Sequence, residues 1–82
     1  MMPIQDLLHR IRWDREFGQA RFEIDYHDRV RKALVRVPFD SVRVPSGHGF
    51  FLEVVDPDGE VHTVPLHRVH AVWRDGALIW ER

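Results

Sequence analysis

The predicted fold depends most on residues 21–37, which read RFEIDYHDRVRKALVRV. Phe22, Ile24 and Tyr26 alternate with charged or polar residues, which is the pattern of a half-buried β-strand. A second alternating run covers residues 33–37, and the polar residues between the two runs predict a turn. The stretch therefore predicts two antiparallel strands that bury one face.

One amphipathic helix is predicted before these strands, over residues 3–13. Pro3 suits the first helical turn, because the N–H that proline lacks would have no partner there. The apolar residues that follow recur at helical spacing and share one face: Ile4, Leu7, Leu8 and Ile11. This face is expected to pack against the sheet.

The rest of the chain predicts two hairpins. The turn sequences Asp-Pro-Asp-Gly and Asp-Gly each separate two runs of strand-forming residues, 50–55 with 60–66 and 71–74 with 77–80. Residues 39–44 are ambiguous, and residues 45–49 have loop composition. The predicted fold class is α+β: one N-terminal helix packed on a curled antiparallel sheet of five or six strands, whose edges partial closure into a barrel would protect.

Length and composition exclude several classes of protein. The 82 residues predict a single domain, 1–82, and the net charge of -1 argues against a protein that coats nucleic acid by bulk charge. A small basic site remains compatible with that charge. The absence of cysteine excludes disulfides and thiolate chemistry. No signal peptide or membrane-spanning run is visible, so we expect a cytoplasmic protein with no membrane contact.

The densest polar cluster contains His67 and Arg68, directly after the predicted fourth strand. A guanidinium presents a planar pair of donors that matches two phosphate oxygens, and an imidazole adds a donor or an acid–base group. Neighbouring side chains on a regular strand point to opposite faces, so the two converge only where the chain bends. The alternative is that Arg68 pairs with a carboxylate and His67 caps a turn.

Two further clusters have competing interpretations. Trp13 could stack on a base while Asp14 orients an arginine, but we favour Trp13 in the core and Asp14 bound to local backbone. Asp28 and Arg29 are either a solvated turn or the source of a second phosphate donor, and the residues alone do not decide.

Motifs of common enzymes and metal sites are absent from the sequence. His62, His67 and His70 lack zinc-site spacing, and we predict no metal. No nucleophile elbow, P-loop or dinucleotide fingerprint is present, and we predict no cofactor. Trp73 and Trp80, on the last predicted hairpin, are interpreted as packing residues.

Four separated motifs resemble one family over the whole chain, the RNA cyclic group end recognition domain. The motifs are PIQDLL with IRWD within residues 3–14, YHDR at 26–29, VPLHRV at 64–69 and VWRDG at 72–76. The resemblance implies a module that binds RNA 3′ ends carrying a 2′,3′-cyclic phosphate, in RNA processing or repair, alone or with RNA-processing protein partners. The family's polar positions here are Trp13, Asp14, Asp28, Arg29, His67 and Arg68.

Two alternatives to an RNA-binding module stay open. One is an enzyme that acts on the cyclic phosphate with His67 as acid or base, which we favour less because the chemistry needs a second such group. The other is a protein-interaction adaptor that uses an exposed sheet edge or the helix. The residues do not indicate the oligomeric state or the RNA that is bound.

Overall fold

A computed structural model of the protein describes residues 2–44 and 50–82, so the predicted loop at 45–49 lies outside the described residues. The predicted helix is confirmed as α1 (Ile4–Trp13), which begins directly after Pro3. Its buried side chains are those of the predicted apolar face: Ile4, Leu7, Leu8 and Ile11. Helical periodicity therefore identified both the element and the face that packs.

Within the described residues, seven strands form two antiparallel sheets. The four-stranded sheet has the order β2-β1-β6-β7 and the three-stranded sheet the order β3-β4-β5. The predicted hairpins are confirmed, since β4 pairs with β5 and β6 with β7. The strands are β1 (Phe22–Asp28), β2 (Ala33–Pro38), β3 (Val42–Arg43), β4 (Phe51–Val55), β5 (Val61–Pro65), β6 (Val69–Arg74) and β7 (Ala77–Glu81).

The prediction of one sheet with five or six strands was wrong in strand count and in sheet number, although the α+β class is confirmed. The residues of the described ranges form no closed barrel. The chain passes between the sheets twice, after Pro38 and after Pro65, through the 3₁₀ turns Phe39–Ser41 and Leu66–Arg68. A proline has no N–H for the strand ladder, so each of these two prolines ends its strand and lets the chain change sheets.

The core lies between α1 and the inner faces of the two sheets. Its most enclosed side chains come from every layer: Leu8, Ile24, Leu52, Val69 and Val72. Trp80 belongs to this core, and its indole N–H donates to the Met2 carbonyl oxygen at 2.8 Å. The packing role predicted for Trp80 is therefore confirmed.

The outer face of the four-stranded sheet holds an ion pair between the half-exposed Arg36 and the buried Asp25, which is only 8% exposed. The Asp25 carboxylate accepts hydrogen bonds from Arg36 Nε at 2.7 Å, from a second Arg36 nitrogen at 3.2 Å and from Trp73 Nε1 at 2.9 Å. The Arg36 guanidinium also lies 4.2 Å from the centroid of the Trp73 ring. Burial alone would raise the pKa of Asp25, but these donors hold that pKa below its ordinary value.

We predict that Asp25→Asn lowers the free energy of unfolding at pH 7 by about 1–3 kcal/mol, because the amide replaces a charged acceptor and turns an N–H group towards existing donors. Trp73→Phe removes one donor and keeps a ring, so it should cost about 1 kcal/mol. Urea denaturation measures both values.

Glu23→Gln is the matched control on the same strand and should change the free energy of unfolding by less than about 0.5 kcal/mol. The Asp25 pKa is lowered in the folded state, so the contribution of its charge is complete above the ordinary carboxyl pKa. It disappears as the pH falls through the folded-state pKa. An Asp25→Asn penalty that is equal at pH 7 and in strong acid would contradict this account.

Candidate anion-binding site

The 3₁₀ turn Leu66–Arg68 supplies the bend that the His67-Arg68 pair requires. The Leu66 side chain is buried, and Arg82 stabilises the turn through hydrogen bonds to its backbone. Arg82 donates from Nε to the Val69 carbonyl oxygen at 3.0 Å and from a terminal guanidinium nitrogen to the Leu66 carbonyl oxygen at 2.9 Å. The backbone that carries Arg68 is thus fixed from both sides.

The turn between β1 and β2 is shaped by Asp28. One of its carboxylate oxygens accepts the backbone N–H groups of Val30 at 2.8 Å and Arg31 at 3.1 Å. The bond from the Arg31 N–H is the main reason that the pKa of Asp28 lies below its ordinary value. Asp28 therefore organises the turn that carries Arg29 instead of forming an ion pair with it.

The two turns meet at a cavity of about 310 Å³, which we call the anion cavity. Arg29 and Arg68 both line it, and within residues 2–44 and 50–82 neither guanidinium forms a hydrogen bond or an ion pair. The pairing of Arg68 with a carboxylate is therefore not observed. The other lining residues are Tyr26, His27, Asp28, Val30, Val61, His62, Thr63 and Val64.

His62 is a functional candidate that the sequence analysis did not include among the site residues. Its Nε2 lies 2.8 Å from a carboxylate oxygen of Asp56, and this hydrogen bond is the main cause that raises the pKa of His62 and lowers that of Asp56. The other Asp56 oxygen accepts the backbone N–H groups of Asp58 and Glu60, each at 2.9 Å. The β4–β5 turn thus holds a carboxylate that favours a cationic imidazole on the cavity wall.

The structure does not bring Trp13 and Asp14 to the anion cavity. Trp13 and Asp14 lie at the end of α1 near the start of β1, whereas Asp28 and Arg29 lie at the end of β1. Six residue steps along a strand span about 20 Å. The resemblance-based set of six residues is therefore split between two ends of the sheet.

Trp13 is 67% exposed, so its predicted place in the core was wrong. It follows Ile11 by two residues, which is about 200° around the helix, and its side chain leaves the buried face. The predicted backbone role of Asp14 is confirmed, because its carboxylate accepts the N–H groups of Glu16 and Phe17, each at 3.1 Å.

His67 is exposed on its turn and is not among the residues that line the anion cavity. It makes no side-chain cap of the turn, so the capping alternative is not observed either. Arg68 and His67 therefore diverge, and the cavity receives the arginine together with His62.

The β4–β5 turn also brings three potential metal ligands together. Oxygen or nitrogen atoms of Asp56, Glu60 and His62 lie within 4.8 Å of one another. The hydrogen bonds of the β4–β5 turn account for this proximity, and we assign no ion to it. The sequence analysis did not predict this cluster, because its three side chains come together only when the β4–β5 hairpin forms.

Fold and cavity together define a small α+β protein in which Arg29 and Arg68 line one cavity. The family model described as MJ1316 RNA cyclic group end recognition domain matches residues 1–82, so the chain belongs to this family. Neither the curated proteins nor the solved structures include a significant match to the chain. Within the described residues, no helix has the length and apolar character needed to span a membrane.

We predict that His62 titrates with a midpoint above the ordinary histidine value of about 6.5, because the Asp56 carboxylate stabilises the imidazolium. Asp56→Asn should move the midpoint down. The measurement is an NMR titration of the His62 ring.

Asp58→Asn is the matched control, since it removes one negative charge from the same turn without removing the bond to His62. It should leave the midpoint close to the wild-type value. An equal downward shift in both variants would mean that the general charge of the turn, and not the Asp56 bond, sets the His62 pKa.

Proposed function

We propose that the protein binds RNA 3′ ends that carry a 2′,3′-cyclic phosphate, with Arg29 and Arg68 on the phosphate. The observation that carries this proposal is the pair of unpartnered guanidinium groups on one small cavity. The family assignment supports RNA as the source of the phosphate. We extend the proposal to a role in RNA processing or repair inside the cell.

The chemistry of the cavity suits this ligand. A cyclic phosphodiester carries one negative charge and two terminal oxygens, which two arginine forks can bind without bulk positive charge. His62, whose protonated form Asp56 stabilises, adds a third donor on the same wall when it is protonated. A protein with a net charge of -1 is better matched to a single charged end than to a long phosphate backbone.

The six residues carried by the resemblance then have different roles. We assign Arg29 and Arg68 to the phosphate, and Asp14 and Asp28 to the turns that they hold through backbone hydrogen bonds. Trp13 is free to stack on a base further along the strand, a contact worth about 1–3 kcal/mol. His67 stays at the outer side of the same turn as Arg68.

Two imidazoles on the cavity wall favour an enzyme as the second candidate. His27 and His62 both line the anion cavity, so two imidazoles are available as acid and base. The enzyme hypothesis based on the sequence had only His67 for these two roles. Water would add to phosphorus and one ribose oxygen would leave with a proton, which yields a phosphate monoester and a free hydroxyl. Incubation of the protein with a cyclic-ended RNA and chromatography of the product tests this candidate.

We predict that Arg68→Ala and Arg29→Ala each weaken binding of a cyclic-ended RNA by about 10- to 100-fold, because each removes a charge-assisted hydrogen bond. Fluorescence anisotropy with one short RNA in three forms, ending in cyclic phosphate, 3′-phosphate or 3′-hydroxyl, measures the affinity. The cyclic end should bind tightest, and salt should weaken binding only as expected for one or two phosphate contacts.

Arg15→Ala is the matched control, because it removes the same charge from an exposed position after α1. It should change the affinity less than about threefold, as expected for a distant surface charge. Equal affinity for all three ends, or an equal loss in Arg15→Ala and Arg68→Ala, would contradict recognition of the cyclic end at this cavity.

A further inference from the structure

A second, larger cavity lies between the two sheets, with a volume of about 670 Å³. We call it the inter-sheet groove. Its rim includes Ser41, which lies in the connector between β2 and β3. Its walls are apolar side chains of β2, β4 and the residues that follow these strands: Val35, Val37, Pro38, Val54, Val55 and Pro57. The groove lies in the size range of ordinary small-molecule sites.

The inter-sheet groove borders the anion cavity. Tyr26, Asp28, Val30 and His62 line both. A ligand that places a phosphate between Arg29 and Arg68 therefore has an adjoining space at this junction for the group to which the phosphate is attached.

Tyr26 lies at the junction of the two cavities and brings a phenolic hydroxyl group to it. Its side chain is only 7% exposed and packs in the core, yet its hydroxyl forms no hydrogen bond with any described residue. Among the described residues, no fully enclosed side-chain nitrogen or oxygen lacks a partner, so the hydroxyl oxygen is accessible to solvent, and Tyr26 lines both cavities. Burial raises the pKa of Tyr26, with a further contribution from Asp28, and this keeps the hydroxyl neutral and able to donate.

The aliphatic walls of the groove select the kind of group that fits. Charges of both signs lie around these walls, Asp28 and Asp56 together with Arg31, Arg36 and His62, so the charge of the lining does not decide between ligands. A neutral, flat group against aliphatic walls suits the same space. In a 2′,3′-cyclic nucleotide the phosphate is fused to the ribose, and the base projects from the far side of that ring.

We propose that the inter-sheet groove is the nucleoside subsite of the RNA-end site. The terminal base lies between β2 and β4, and the Tyr26 hydroxyl donates a hydrogen bond to a ribose oxygen. This inference rests on the proposed function. Aliphatic walls contact the face of any base, so the subsite should accept all four bases and exclude ends that lack one. The RNA strand would then leave through the open side of the anion cavity.

The test compares two small ligands by isothermal titration: adenosine 2′,3′-cyclic phosphate and 1-O-methylribose 2′,3′-cyclic phosphate, which lacks the base. The wild-type protein should bind the first at least tenfold more tightly. Ser41→Trp, which fills the groove from its rim, should remove that advantage, whereas Ser41→Ala leaves the groove open and should keep it. Tyr26→Phe should weaken both ligands by a similar factor, because both contain the ribose.

The outcomes separate the two proposals. Equal affinity of the two ligands for the wild type, or an unchanged preference in Ser41→Trp, overturns the nucleoside subsite and leaves the phosphate site standing. No binding of either ligand overturns the proposed function and this inference together. Backbone amide NMR spectra of each variant confirm that the fold is kept, and a folded Tyr26→Phe with wild-type affinity overturns the role of the hydroxyl.

Discussion

The buried carboxylate of Asp25 connects three strands, of which β1 and β2 flank the turn that carries Arg29 and β6 follows the turn that carries Arg68. It lies on β1 and accepts donors from Arg36 on β2 and Trp73 on β6. A buried charge is tolerated only when it is paired and hydrogen-bonded, so the three strands must keep this register. Next to Asp25 the pairing of β1 with β6 is irregular, and Tyr26 pairs with Val69, the residue that follows Arg68. The register fixed at Asp25 thus also places Tyr26 beside the turn that carries Arg68.

The two-sheet architecture depends on a local device used twice. The sequences Val37-Pro38 to Val42 and Val64-Pro65 to Val69 share the form Val-Pro-x-x-x-Val, and each folds as a strand end, a 3₁₀ turn and a new strand. In each turn the N–H of the second valine bonds back to the carbonyl oxygen of the first turn residue. The first connector carries Ser41 to the rim of the inter-sheet groove, and the second carries Arg68 to the anion cavity. The same connector pattern therefore moves the chain between the two sheets and places Ser41 and Arg68 beside the cavities.

Periodicity predicted the elements well because local patterns govern them. The apolar face of α1 and the hairpins around Asp-Gly turns follow from spacing and turn chemistry alone. The split into two sheets was not predicted, although the repeated Val-Pro pattern was a visible signal for it. Asp25 was predicted on a polar face, and its burial depends on Arg36 and Trp73, which lie 11 and 48 residues away in the chain. The meeting of Arg29 with Arg68 has the same long-range dependence, whereas the Asp56–His62 pair forms locally within the β4–β5 hairpin and was not predicted from its turn sequence.

The most direct test of the central claim is an NMR titration of ¹⁵N-labelled protein, with arginine side-chain Nε signals observed, using one RNA with a cyclic phosphate end and the same RNA with a 3′-hydroxyl end. If the cavity binds the cyclic phosphate, the shifts specific to the cyclic end fall on Arg29, Arg68 and the neighbouring cavity residues, and are absent from Asp14 and the end of α1. Cyclic-specific shifts centred on Trp13, or identical shifts with both RNAs, would contradict it.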